Sequence, residues 1–103
     1  MMYEVGYGVP QNSAEAMKWF RRAADQGDYD GQSWVSVMYR DGKGVPIDFV
    51  RAYMWASLAA QNTEHARVPH SKQSALSNRD FIATMMTPAQ IAEAQKLARE
   101  WKP

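Results

Sequence analysis

Apolar positions in this chain fall into short stretches with helical spacing, separated by turns that carry glycine or proline. Ala16, Trp19/Phe20 and Ala23 recur at intervals of three and four residues, as do Ala52, Trp55/Ala56 and Ala59. That spacing lines one face of a helix and does not alternate across a strand. Gly27 closes the first stretch, and Asp28 or Asp30 opens another helix running through Trp34, Val35 and Met38 to Tyr39. Asn12 and Asp48 stand just ahead of the two Ala/Trp stretches, placed to accept a first-turn N–H. Glu15, three residues after Asn12, gives that start the spacing of a capping box. The pattern predicts helices over 12–26 and 29–40 and a third through Trp55.

Beyond this point the punctuation changes. Asn62 to His70 is polar and contains Pro69, which predicts a loop. Ser71 to Met86 permits a helix with Ala75/Leu76, Ile82 and Met85/Met86 on its buried side. Thr87-Pro88-Ala89-Gln90 is a helix start, with an N-cap hydroxyl, proline at the first helical position and Gln at the capping-box position. Ile91, Ala94, Leu97/Ala98 and Trp101 then form one apolar stripe, and Glu93, Lys96, Arg99 and Glu100 point away from it.

Laying the chain on itself reveals a repeat. A shift of 36 residues superimposes Met2-Tyr3 on Met38-Tyr39, and Gly6, Gly8, Val9 and Pro10 on Gly42, Gly44, Val45 and Pro46. The same shift aligns Ala16, Trp19, Ala23 and Ala24 with Ala52, Trp55, Ala59 and Ala60, giving ten identities over 23 positions without a gap. Gly42 falls where a helix ends in a left-handed cap, Gly44 permits a second unusual turn or a close backbone contact, and Val45 is held extended by Pro46. The unit is helix, glycine-rich turn, helix, turn.

Met38-Tyr39-Arg40-Asp41-Gly42-Lys43-Gly44-Val45-Pro46, followed by Ala52 and Trp55, resembles the Sel1-like repeat, a relative of the tetratricopeptide repeat, and so does Trp19 to Gly27. The resemblance implies an all-α fold, a right-handed α/α superhelical solenoid that works as an adaptor or scaffold for proteins. It divides the chain into a partial first repeat (1–27), a second repeat (28–62) and a C-terminal cap (63–103). The segment from Thr87 to Trp101 resembles the helix that commonly closes bacterial Sel1-like proteins. Three departures stand out: Gly31 and Val35-Ser36 replace the family's small Ala and Leu-Gly, the first repeat lacks its opening helix, and the third unit lacks the Gly-x-Gly-Val-Pro turn. Gly31 should weaken its helix by about 0.5–1 kcal/mol relative to Ala.

Composition narrows the function. The 103 residues are 46% hydrophobic and 22% charged, values of a folded domain, with a net charge of +1 and no basic stripe for nucleic acid. No apolar run is long enough to span a membrane, and the first residues lack the features of a secretory signal. As written the chain is expected in the cytoplasm, or in the periplasm or secreted if a longer precursor exists. Without cysteine, thiolate and disulfide chemistry is excluded. Glu64, His65 and His70 are the one grouping with metal or acid–base potential, but His-x4-His across Pro69 does not set two ligands one helical turn apart. A metal-assisted hydrolase built there is the rival to a binding module; no cofactor is implied.

Trp19 and Trp55 are expected in the repeat core, with Trp101 as the last core contact of the cap. Trp34 sits where the repeat reserves no aromatic; it either packs against a neighbouring helix or serves as a partner anchor. Analogy with the tetratricopeptide repeat, whose first helices line the concave surface, places Asp30, Ser33, Val37 and Arg40 toward that groove. The expected partner is a protein or peptide. A second copy of the chain is an alternative partner, because the missing opening helix should leave Ala16, Met17, Phe20 and Ala24 without full cover.

Overall fold

The computed structural model describes residues 13–61 and 71–102. Within them lie five helices: α1 (Ser13–Asp25), α2 (Tyr29–Asp41), α3 (Phe49–Gln61), α4 (Ser71–Ala83) and α5 (Pro88–Glu100). Asn12 and the 62–70 segment, including the expected loop and Glu64, His65 and His70, lie outside the described residues.

The helix ends follow the local chemistry of the sequence. Asp28 is the cap of α2, its carboxylate accepting the Gly31 N–H at 2.8 Å. Asp48 caps α3, accepting the Arg51 N–H at 3.0 Å. Thr87 and Gln90 form a reciprocal capping box at the start of α5, with bonds of 2.8 and 3.2 Å. Gly42, at φ 73°, ends α2 by donating to the Met38 carbonyl, and the Asp48 N–H returns to the Tyr39 carbonyl at 3.0 Å. Gly44 has a different job. At φ 77° it also lies against the first turn of α1, where a Cβ would run into the Ser13 carbonyl. The turn of the second repeat is thereby seated on the helix of the first.

Helix α3 is the axis of the molecule. Every residue from Ala52 to Ala60 is buried, because α2, α4 and α5 all pack on it. Trp55 is fully buried in a cluster with Met17, Val35, Met38, Met54 and Leu58, and meets Trp101 edge to face at 5.8 Å. A second cluster joins Ala52, Tyr53 and Ala56 to Ile82 and Ala94, and a third joins Tyr29, Ala59 and Ala60 to Ala75.

Four sequence expectations are corrected here. Trp19 is 60% exposed and does not belong to the core; α3 approaches α1 less closely than α5 approaches α3. Ala16, Met17 and Ala24 are buried against α2 and α3 residues, and Phe20 packs at the edge of that cluster. The uncovered face on which a homodimer through the N-terminal half rested is therefore covered within the chain. Helix α4 ends at Ala83, three residues before Met86, in a turn closed by the Thr84 hydroxyl on the Phe81 carbonyl, which leaves Met85 exposed. Finally, Gly31 is a contact residue: a Cβ there would lie 2.7 Å from the Ala23 Cβ and 2.7 Å from the Ala24 backbone nitrogen. Its poor helix propensity is offset by the close approach of α1 and α2.

Candidate functional site

Helix α2 has two unlike sides. Tyr29, Gln32, Val35, Ser36 and Met38 are buried on one, and Asp30 and Trp34 are exposed on the other. Ser33, Val37 and Arg40 are half-buried beside them. Helical spacing brings Asp30, Ser33, Trp34 and Val37 onto one continuous face.

Trp34 is 52% exposed, yet its ring is not loose. It stacks on Phe20 of α1, with centroids 5.5 Å apart and planes at 17°. Phe20 is thus the support of an exposed aromatic. The Ser33 hydroxyl oxygen is enclosed and has no hydrogen-bond partner.

Arg40 is committed to neighbouring side chains. Its Nε and Nη2 fork onto the Asp41 carboxylate at 2.9 and 3.0 Å, while Nη1 donates to Asn78 Oδ1 of α4 at 2.9 Å. Asn78 Nδ2 donates in turn to the Ser36 hydroxyl at 3.0 Å, which donates to the Ala52 carbonyl of α3 at 2.7 Å. This relay ties α2, α3 and α4 together. Hydrogen bonding to Arg40 holds the Asp41 carboxyl below its ordinary pKa, against the opposing effect of partial burial. The same bond raises Arg40, also against burial.

The far side of the relay carries a residue that sequence reasoning missed. Phe81 of α4 is 55% exposed and sits under the Arg40 guanidinium, 5.7 Å from ring centroid to Cζ. The surface therefore runs from Trp34 past Val37 and Arg40 to Phe81. No repeat motif marks α4, so the only available signal was an aromatic next to the core residue Ile82 but outside the predicted apolar side. Among the described residues no three His, Cys, Asp or Glu side chains are placed to hold a metal, and no described helix is long and apolar enough to cross a membrane.

The repeat found by self-alignment, the glycine turn seated on α1 and the paired helices coincide with a family model: the Sel1 repeat matches residues 1–28 and 30–63. The chain belongs to the Sel1 repeat family. Its described residues form the all-α helical-repeat solenoid expected of that membership. Sel1 repeats are in general protein–protein interaction modules and typically non-catalytic. A search of curated proteins returned no match.

Proposed function

We propose that this Sel1-repeat protein is an adaptor that binds a protein or peptide along the α2–α4 surface. Trp34, Val37 and Phe81 supply the apolar contacts and Asp30 a polar contact beside them, while Ser33, whose hydroxyl is enclosed, forms part of the floor. Arg40 contributes the stem and one face of its guanidinium, since three of its five N–H donors are already engaged within the chain. The observation that carries this reading is the Trp34–Phe20 stack. A half-exposed tryptophan already held in one orientation loses little freedom when a partner covers it, which is the property of an interface anchor.

Affinity capture on immobilised wild-type protein and on Trp34→Ala tests the reading. A partner retained by the wild type and lost with Trp34→Ala, while thermal unfolding of the variant stays within a few degrees, is the expected result. Retention by both proteins would remove Trp34 from the site.

A further inference from the structure

Helices α4 and α5 each pack on α3 but scarcely touch one another. Near their connecting turn the wedge between them is filled by Ile82, Met86, Ile91 and Ala94. Away from the turn it opens into a cleft of ≈ 460 Å³ bounded by Tyr53, Gln61, Leu76, Arg79, Gln95 and Arg99. A second cavity of ≈ 410 Å³ adjoins it, shares Gln61, Ala98 and Arg99, and continues to Gln32 and Trp101.

The chemistry of this cleft is one-sided. Arg79 and Arg99 both line it, and no carboxylate does among the described residues. Arg99 has no hydrogen bond or ion pair among those residues. Arg79 reaches only the exposed neighbour Asp80, at 3.3 Å; its guanidinium rests over the Tyr53 ring, and its buried Nε has no acceptor. Gln61 and Gln95 offer amides on α3 and α5. Gln32, 1% exposed, keeps an unpartnered Oε1 in the wall of the adjoining cavity. Guanidinium forks match the plane of a carboxylate, and side-chain amides match the N–H and C=O groups of a peptide. Ala60, Leu76 and Ala98 supply apolar walls. The cleft lies at the C-terminal ends of α3 and α5, whose negative dipole ends oppose a bound anion, a phosphate dianion more than a single carboxylate, so the two guanidiniums must outweigh them.

We propose that this cleft is a second binding site, which takes a carboxylate carried by a peptide, as an acidic side chain or a chain end. Arg99 is its principal cation and Arg79 its second. The site shares no residue with the α2–α4 surface, so either assignment can fail alone.

The test is NMR titration of the whole chain, following the arginine Nε–H and glutamine side-chain signals. Three acetylated tripeptides serve as probes: Leu-Ala-Ala with a free chain end, Leu-Glu-Ala amide, and the neutral Leu-Ala-Ala amide. Saturable shifts at Arg79 and Arg99 are expected with at least one of the two acids, at affinities on the order of millimolar, and none with the neutral peptide. Whichever acid responds identifies the source of the carboxylate. Arg99→Gln should weaken binding about tenfold without lowering Tm, whereas Lys96→Gln, which removes the same charge from α5 outside the cleft, should leave it unchanged. The proposal is overturned by the absence of saturation with either acid. An equal response to the neutral peptide or to inorganic phosphate, or equal weakening by Lys96→Gln, would overturn it as well.

Discussion

Helices α1 and α3 hold equivalent places in successive repeats and share Ala16/Ala52, Trp19/Trp55, Ala23/Ala59 and Ala24/Ala60. They live in different surroundings. Helix α3 is enclosed by α2, α4 and α5, whereas α1 packs on α2 and only brushes α3. The residues between the shared positions match those surroundings. Where α3 has Met54, Ser57 and Leu58, all buried, α1 has Lys18, Arg21 and Arg22, all exposed. One of these charges serves the neighbouring repeat, for Arg21 lies 5.2 Å over the Trp55 ring and is paired with Asp25. The other tryptophan, Trp19, is largely exposed and has Arg22 of its own helix 5.5 Å from the ring. A repeat motif thus specifies a backbone and a set of contact positions. Whether a shared position becomes core depends on which helix arrives to cover it.

The sharpest way to break this comparison is to truncate both tryptophans. Trp55→Ala should destabilise the protein by about 3–5 kcal/mol, because it empties a fully enclosed site. Trp19→Ala should change stability by about 0.5 kcal/mol or less, as for an exposed position. Urea unfolding of the two variants measures both, and similar losses would place α1 and α3 in equivalent surroundings after all.

A smaller effect, with a sign opposite to helix propensity, is expected at the α1–α2 contact. Gly31→Ala should destabilise by about 1–3 kcal/mol, since the added methyl must displace the α1 backbone at Ala24. A gain in Tm would show that the two helices have room to spare.

The smallest effect concerns the relay that joins α2 to α4. Asp41 has a folded-state pKa below its ordinary value of 3.8, so its contribution is present above about pH 4 and is lost as pH falls through the lower folded value. Urea midpoints should therefore place wild type slightly above Asp41→Asn near neutrality, with the gap closing in acid. The gap stays small because the pair is partly exposed and screened. A gap that widens on acidification would contradict the assignment.

Much of this fold could be read from local chemistry, because caps, turn glycines and helical periodicity act within a few residues. Asp28, Asp48, Thr87 and Gly42 behave as their positions in the sequence require. What escaped reading depends on contacts distant in sequence. Gly31 looked like a flaw until Ala23 and Ala24 were seen against it. Trp19 looked like core because its repeat mate is core, although Lys18, Arg21 and Arg22 already marked α1 as an edge. In the candidate site, the α2 residues were legible by analogy with the tetratricopeptide repeat. Phe81 and Asn78 were not, since α4 carries no motif and they meet Arg40 only through the packing of α4 on α3.

Native-state hydrogen exchange resolved by residue tests the unequal roles of α1 and α3 most directly. The amides of Trp55 to Ala59 should exchange only through global unfolding, while those on the exposed side of α1 exchange through openings of lower free energy. Equal protection of the two helices, or earlier exchange in α3, would contradict the account.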